Sequence, residues 1–499
     1  MNRNQQRLLW LATAAGLGLF IGGRWNIPLA AWLAPVFVIR FYRTSERPWR
    51  DFGLMWIVAA LPTIISWRGA TFMAQIHPAA EAAFFLAITP LGLTPYVIDR
   101  AYARRFGSPL WLTLVFPVAA TAVDFLSSSG SPFGSFGAGA YAQRDALPIM
   151  QLAALSGLWG ITFVIGWSAS LANHLWEHGF RPGRPALAAA CAIALVPGIG
   201  LARVLLAPEA AQAAQIAGFS LPEGELAAMM AQLQAGDEAG FRQAADRLHA
   251  KELAQIRALA LGGAQIVVLQ EGAGLGYADQ VAQLLADAAA VARAEQIYLV
   301  LPTVAFGAAQ AENVVRIIDP SGAVVLEHVK YGGNQFEGSL KGDGVLRVVD
   351  TPYGRLSAVI CWDADFPEII RQAGQQRVDL LFVPANDWPA VKDIHAGMAT
   401  FRAVENGMAI YRQTGQGVSL VADGYGRTIA RVDLFAEGGT SDFAATQSTA
   451  TPIGAVPTLY PQIGDLVGSL MQLGALGLLA GLVLMRVQRR AARDVAALS

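Results

Sequence analysis

The sequence predicts an α-helical membrane domain joined to an α/β domain that lies outside the membrane. Three observations lead to this fold class. The chain is 54% hydrophobic and 15% charged, whereas an average soluble domain is about 25% charged. Its mean hydropathy is +0.41. Residues 207–462 carry 28 acidic and 17 basic side chains, while the flanking parts carry 9 and 19. Two parts with different surroundings are therefore expected.

Eight apolar segments approach the length of about 20 residues that a helix needs to cross a bilayer. Residues 1–207 are predicted to form a membrane domain of about seven transmembrane helices, and residues 463–485 an eighth span. The predicted spans are 8–22, 27–42, 52–67, 80–98, 109–128, 148–174, 185–206 and 463–485. No paired charges are expected within them, and Asp124 is the main acidic candidate, near a span end.

Short loops rich in arginine all fall on one side of the membrane if eight spans are correct. They contain Arg3, Arg7, Arg40, Arg43, Arg47, Arg50, Arg100, Arg104, Arg105, Arg181 and Arg184, and the segment RVQRRAAR after the last span. Because positive loops stay in the cytoplasm, both termini are predicted to be cytoplasmic. The acidic block is then on the outer, or periplasmic, face.

Residues 213–455 alternate apolar strands with helical stretches. Residues 222–261 are predicted to be helical with a break near AGDEAG, AQIVVLQE a strand, DPSG a turn, and a helix begins near Pro367. This order predicts an α/β sandwich with sheets inside and helices outside. No basic, aromatic-rich face suggests nucleic acid as a partner. The six histidines show no metal-ligand spacing, and neither a metal nor a cofactor is expected.

Three chemically distinctive residues lie at or just beyond predicted strand ends: Glu271, Lys330 and Cys361. A carboxylate, an ammonium and a thiol in such positions need one another as partners. Together they form a workable acyl-transfer site. Glu271 would take the thiol proton, Cys361 would attack a carbonyl, and Lys330 with the backbone N–H of Trp362 would stabilise the oxyanion.

Taken singly, each of these residues also has an ordinary interpretation. Cys361 fits a packed core thiol, Lys330 a surface charge at a hairpin edge, and Glu271 a carboxylate in a loop or at a helix start. Only the set favours catalysis.

The order Glu, Lys, then Cys within CWDADFPE resembles the carbon-nitrogen hydrolase (nitrilase) superfamily. Within it, the chain resembles the apolipoprotein N-acyltransferases, a membrane branch. SPFGSFGAGAYAQRDALPIMQLAALSGLWGITFVI and the segment from ANDW through HAGMATFRAVENGMAIYRQTGQGVSLVADGYGRTI extend the resemblance over nearly the full length. It implies a nitrilase-like αββα domain over 213–455, outside a bacterial cytoplasmic (inner) membrane that the chain crosses several times.

The resemblance assigns Glu271 as base, Lys330 as oxyanion and positioning residue, and Cys361 as nucleophile. It makes Glu337 a second glutamate that orients the lysine and the substrate. Asp363 takes the place of the acidic residue two positions after the nucleophile, with a helix N-terminal carboxylate as its plain alternative. Trp388 either lines an acyl pocket or packs under a loop.

The segment after the lysine, GGNQFEGSLKGDG, departs from the proline- and aromatic-rich lid of that branch. A more mobile and less apolar lid is expected, with consequences for substrate choice.

The implied function is transfer of an acyl chain from a phospholipid, through a Cys361 thioester, to the N-terminal amine of a diacylglyceryl-cysteine apolipoprotein. The expected partners are therefore a phospholipid donor, an apolipoprotein acceptor and the membrane. The main alternative is a membrane-tethered, nitrilase-like amidase that hydrolyses a C–N bond. A third is a transporter or structural membrane protein whose outer domain has lost its activity.

Overall fold

The computed structural model describes residues 2–210, 212–221, 224–436 and 447–498, which form two compact units. The first unit comprises the residues up to Ser131, Gly137–Leu205 and the residues from Ile463, and the second comprises Pro132–Phe136 and Leu206–Gln462. The helices are α1 (Arg3–Gly18), α2 (Pro28–Arg43), α3 (Pro48–Ser66), α4 (Met73–Ile76), α5 (Pro78–Phe106), α6 (Val115–Ser128), α7 (Leu147–Met150), α8 (Ala153–Glu177), α9 (Arg184–Leu205), α10 (Glu225–Gln234), α11 (Glu238–Leu261), α12 (Ala278–Glu295), α13 (Asn334–Glu337), α14 (Pro367–Gln375), α15 (Lys392–Asn406), α16 (Tyr460–Ile463) and α17 (Leu466–Leu498). The strands are β1 (Gln212–Phe219), β2 (Ile266–Leu269), β3 (Gly274–Tyr277), β4 (Tyr298–Phe306), β5 (Glu312–Ile318), β6 (Val324–Val329), β7 (Val349–Thr351), β8 (Gly354–Ala358), β9 (Leu380–Ala385), β10 (Ala409–Thr414), β11 (Val418–Ala422), β12 (Thr428–Asp433) and β13 (Gln447–Ile453).

The first unit is helical, and a helix lies at each predicted span. Five helices are long and apolar enough to cross a membrane. They are Pro78–Phe106, Leu110–Ser128, Ala153–Glu177, Arg184–Leu205 and Leu466–Gln488. The helices α1, α2 and α3, with 16, 16 and 19 residues, are not among these five. The chain therefore has the composition of a membrane protein, and the count of eight spans stays a prediction.

Two buried ion pairs lie just outside the ends of the predicted spans. Arg43 at the end of α2 makes a bidentate ion pair with Asp99 of α5, with both N–O distances 2.7 Å. Arg7 of α1 pairs with Asp51 of α3 in the same unit, and both side chains are buried. Each pair joins two helices that are far apart in sequence, so a span-by-span analysis cannot detect it. These pairs lock helices together, since a buried charge needs a partner.

Asp124 also has a structural contact that its position near a span end does not suggest. Its carboxylate accepts hydrogen bonds from the Gly139 N–H at 3.1 Å and from the Thr162 hydroxyl at 2.7 Å. It thus ties α6 to α8 and to the turn between them.

The second unit is the predicted sandwich of two sheets between two layers of helices. One sheet has the strand order β13-β1-β2-β4-β5-β6, with β3 beside β4, and the other has the order β12-β11-β10-β9-β8-β7. Side chains such as Ile266 and Val300 from the first sheet and Leu356 and Phe382 from the second form the core between them. Helices α11 and α12 pack on the outer face of the first sheet, and α14 and α15 on that of the second.

The strand directions explain why the candidate residues share one edge. Strands β1, β2 and β4 are parallel, and two antiparallel pairings, β4 with β5 and β5 with β6, make β6 run in the same direction as β2. Glu271 follows β2 and Lys330 follows β6. Both therefore emerge at the carboxyl edge of the sheet, where open α/β sheets present functional groups.

Glu252 on α11 is an unusual feature of this unit, because it is fully buried and its carboxyl oxygens have no hydrogen-bond partner among the described residues. Burial, with a smaller effect of Glu225, raises its pKa well above 4.5. The folded protein then holds a proton that the unfolded chain releases above pH 4.5, so Glu252 makes stability fall as pH rises from there toward the raised folded-state pKa.

We predict that Glu252→Gln raises the midpoint of thermal unfolding, and that the gain is larger at pH 8 than at pH 5. The amide cannot ionise, so the variant loses this pH dependence. The measurement is thermal unfolding of the full-length protein in detergent at both pH values. Glu238→Gln is the matched control, because Glu238 lies on the same helix with 61% of its side chain exposed. Equal shifts at pH 5 and pH 8 would contradict the prediction.

Candidate active site

Lys330 is a buried ammonium group held by two carboxylates. Its Nζ donates to Glu271 Oε1 at 2.7 Å and to both oxygens of Glu337 at 2.6 and 2.8 Å, and only 1% of Lys330 is exposed. Burial by itself lowers the pKa of Lys330, but the charges of Glu271 and Glu337 outweigh it and raise the pKa above the ordinary value. Lys330 therefore stays charged at any working pH.

The Lys330 backbone is held as firmly as its side chain. Its N–H donates to the Asn313 carbonyl at 2.9 Å, and its carbonyl accepts from the Asn334 side chain and from the Gly342 N–H. The residue after β6 is thus fixed by β5 and by the segment that follows it.

Glu271 is oriented through one of its two oxygens. Lys330 and the Asn313 side-chain amide, at 2.8 Å, both donate to Oε1. No hydrogen bond to Oε2 occurs within the described part of the chain. Glu271 is only 8% exposed. One oxygen is thereby fixed, while the other remains available to accept a proton.

Cys361 begins a 3₁₀ helix, Cys361–Asp365, with φ of +46°. This left-handed conformation is strained for a residue with a Cβ and is common at functional sites. Its Sγ lies 3.9 Å from the Asn386 carbonyl oxygen. Burial raises the pKa of the thiol well above its ordinary value of 9.0, the Glu271 charge raises it further, and Lys330 opposes this. The resting sulfur is therefore a neutral thiol, and attack on a carbonyl requires a base.

Asp363 joins the segment after Lys330 to the segment before Cys361. Its carboxylate accepts from the backbone N–H groups of Tyr331, Gly332 and Ile360 at 2.9, 2.7 and 2.9 Å. It also lies 2.8 Å from Nε2 of the buried His328. Asp363 is also the acidic residue in the first turn of the Cys361–Asp365 helix, as the helix N-terminal alternative expects, and it is a fully buried acceptor.

The lid contains one aromatic residue that makes close contacts. Phe336 of α13 stacks on Phe133, with ring centroids 5.1 Å apart, and meets the edge of Trp362 at 5.8 Å. Gly333 permits this packing, because a Cβ there would lie 2.0 Å from the Trp362 ring, and its φ is +79°. The lid is glycine-rich as expected, but it is more apolar in its contacts than its composition suggests.

A second charged cluster connects the 3₁₀ helix that begins at Cys361 to the loop after β9. Arg412 donates twice to Asp387, at 3.0 and 2.9 Å, and His395 Nδ1 lies 2.8 Å from the same carboxylate. His395 Nε2 lies 3.5 Å from Asp365. All four side chains are buried. Trp388 is half-buried, and its ring centroid lies 6.3 Å from that of His395.

The structure brings Glu271, Lys330 and Glu337 into direct contact, and Cys361 is close enough for the Lys330 and Glu271 charges to act on its thiol. Sequence reasoning did not single out Asn313, Asp387 or His395. Their contacts depend on neighbouring strands and loops, and a polar residue type alone does not signal them. Among the described residues, no group of three or more His, Cys, Asp or Glu side chains is arranged to hold a metal ion.

Residues 226–452 match the family model of the carbon-nitrogen hydrolases. The predicted nitrilase-like α/β fold is thus confirmed, and most of the second unit is similar to the carbon-nitrogen hydrolases. An amidase from Nesterenkonia sp. is one of the solved structures with a likeness to the chain, with 20% identity, a TM-score of 0.37, and 52% of this chain and 95% of that protein covered.

Two relatives that match over most of the chain are named apolipoprotein N-acyltransferases. The chain is 26% identical over 468 residues to the apolipoprotein N-acyltransferase of Bradyrhizobium diazoefficiens, covering 83% of this chain and 82% of that protein. It is 24% identical over 421 residues to the apolipoprotein N-acyltransferase of Geobacter metallireducens, covering 76% of each. The expected resemblance to the apolipoprotein N-acyltransferases is confirmed.

We predict that Asp363→Asn destabilises the protein by about 1–3 kcal/mol, because its amide nitrogen would face backbone N–H donors in a buried position. The measurement is denaturant or thermal unfolding of the full-length protein in detergent. Asp343→Asn is the control, since the Asp343 side chain is 52% exposed and its contacts, with Arg347 and the Val345 N–H, lie at the surface. It should change stability by no more than about 0.5 kcal/mol. Equal effects of the two substitutions would show that Asp363 does not hold the two segments together.

Proposed function

We propose that the chain is an N-acyltransferase of lipoprotein maturation, which moves an acyl chain from a phospholipid through a Cys361 thioester to the N-terminal amine of a diacylglyceryl-cysteine apolipoprotein. The observation that carries the proposal is the ammonium of Lys330, held between Glu271 and Glu337 and acting on the Cys361 thiol. The names of the full-length relatives support the acceptor, and the apolar helices support a membrane-embedded donor.

In the first half-reaction, Glu271 Oε2 accepts the Cys361 proton as the sulfur attacks the ester carbonyl of the phospholipid. The S–C bond forms, and the carbonyl oxygen becomes an oxyanion. Lys330 and the Trp362 N–H stabilise that charge, since fixed donors in a buried site act strongly on developing charge. The C–O bond then breaks, and the lysophospholipid oxygen leaves with the proton from Glu271.

In the second half-reaction, the amine of the acceptor's N-terminal cysteine attacks the thioester carbonyl. Glu271 takes a proton from the amine as the N–C bond forms. The S–C bond breaks, and Cys361 returns to the neutral thiol by taking that proton. The raised pKa of the thiol favours this last transfer.

The membrane arrangement is part of the same proposal. The arginine-rich loops favour cytoplasmic termini and an active domain on the outer face of the inner membrane. Both proposed substrates are anchored in lipid, so an enzyme whose apolar helices lie in the membrane can bind them there.

The direct test expresses the full-length protein in a bacterial host depleted of its own N-acyltransferase, with a model lipoprotein as acceptor. We predict that mass spectrometry shows an added N-acyl chain on the lipoprotein with the wild type, and none with Cys361→Ser, because serine lacks the thiol chemistry. Cys191→Ser is the matched control, since Cys191 is the other cysteine and lies exposed on α9.

Two outcomes would contradict the proposal. One is a folded, membrane-inserted wild type that leaves the lipoprotein unmodified. The other is release of free fatty acid or of acid from small amides without transfer, which is the result that a nitrilase-like amidase predicts.

A further inference from the structure

His395 lies between two carboxylates that belong to different segments of the domain. Its Nδ1 is 2.8 Å from Asp387, just after β9, and its Nε2 is 3.5 Å from Asp365, the last residue of the 3₁₀ helix that begins at Cys361. Only 5% of His395 is exposed. The ring therefore bridges the turn that carries the thiol and the loop that follows β9.

Both aspartates of this bridge belong to segments that contact or contain Cys361. The loop after β9 also contains Asn386, whose carbonyl oxygen lies 3.9 Å from Cys361 Sγ. That loop is fixed in turn by Gln416, which donates to the Asn386 side chain and accepts from the Asp387 N–H. A displacement of His395 would thus shift both the 3₁₀ helix that carries the thiol and the loop that contacts it.

The Asp365 end is anchored by a further contact. The Asp365 carbonyl accepts from both the N–H and the hydroxyl of Ser135, at 2.8 and 2.7 Å. Gly134 leaves room for this approach, because a Cβ there would lie 2.4 Å from the same carbonyl oxygen. The 3₁₀ helix is thus held at its backbone by Ser135 and at its last side chain by His395.

The charges around His395 favour its doubly protonated form. Asp365 and Asp387 face it directly, Arg412 reaches it only through Asp387, and the uncharged rings of Phe136 and Trp388 pack beside it. Burial lowers the pKa of His395, but the two carboxylates outweigh burial and raise the pKa to about 9. The contact of Nε2 with Asp365 at 3.5 Å is an ion pair and not a hydrogen bond, so this half of the bridge needs the imidazolium charge, whereas Nδ1 can donate to Asp387 at 2.8 Å.

We propose that His395 is a positioning residue for the reaction: as a bridge from Asp365 to Asp387, it holds the strained Cys361 turn so that the thiol is aligned for proton transfer to Glu271. This inference rests on the proposed function. His395 touches neither substrate nor the reacting atoms, and it acts through the two aspartates.

The test measures acylation of Cys361 by two acyl donors, a phospholipid in detergent micelles and p-nitrophenyl butyrate, in the full-length protein. At pH 7.5, His395→Gln is expected to lower the rate of acylation about 10- to 100-fold, the size of effect that a misplacement of about 1 Å produces. The KM for the donor should stay the same, because the donor-binding surface is unchanged. His249→Gln is the control, since His249 is also buried but contacts a backbone carbonyl, that of Leu275.

The pH profile separates positioning from general support of the fold. The wild-type rate is expected to fall as pH rises through about 9, where His395 loses the proton that makes the bridge. Asp365→Asn should move this fall to lower pH, because Asp365 is the main influence that raises the His395 pKa. His395→Gln should have a lower rate and no such fall. If His395→Gln does not fold, the pH at which the acylation rate of Asp365→Asn falls still tests the proposal.

An unchanged rate in folded His395→Gln, or a high-pH fall that stays in place in Asp365→Asn, would overturn the inference. Failure of the proposed function gives a different pattern. In that case the wild type is not acylated by the phospholipid, whereas p-nitrophenyl butyrate still reports on the alignment of the thiol.

Discussion

The ion pair between Lys330 and its two glutamates is the interaction on which the rest of the site depends. A buried ammonium without partners would lose its proton or unfold the protein. Here Glu271 and Glu337 supply the negative charge, at 2.7 and 2.6 Å. The sheet must therefore bring the ends of β2 and β6 to one edge, and the lid must place Glu337 over the same nitrogen. Fold, lid and electrostatics are linked through one side chain.

The same charges set the protonation state of Cys361, the proposed nucleophile. Burial and Glu271 keep Cys361 as a thiol, and the positive φ of this residue is maintained by contacts on both sides of the turn. Asp363 holds the turn to the Lys330 segment, and Asp365 connects it to the buried histidine behind it. A neutral thiol is a poor nucleophile and is less readily oxidised than a thiolate. In the proposed reaction, the reactivity of Cys361 therefore depends on a substrate that places its carbonyl between the sulfur and Lys330.

The sequence predicted the two-part architecture and the convergence of Glu271, Lys330 and Cys361, because apolar periodicity, strand ends and charge segregation are local patterns. The helix at Pro367 and the break near AGDEAG appear as α14 and as the gap between α10 and α11. The Arg43–Asp99 pair and the His395 bridge could not be predicted. In each, the partners belong to segments that become neighbours only in the folded chain. Neither the residue types nor their spacing in the sequence therefore predicts the contact. Phe133 and Phe336 are a similar case, 203 positions apart and stacked at 5.1 Å.

The most direct test of the Lys330-centred site is the rate at which Cys361 forms an acyl-thioester with a phospholipid, followed by intact-protein mass spectrometry in wild type and Glu271→Gln. The glutamine can still accept hydrogen bonds from Lys330 and Asn313, so the geometry is retained while the base is lost. We predict an acyl-thioester in the wild type and formation about 10²- to 10⁴-fold slower in Glu271→Gln. Glu327→Gln, a change at an exposed carboxylate of β6, should behave like the wild type. Equal rates in wild type and Glu271→Gln, or an acyl adduct on a residue other than Cys361, would contradict the account.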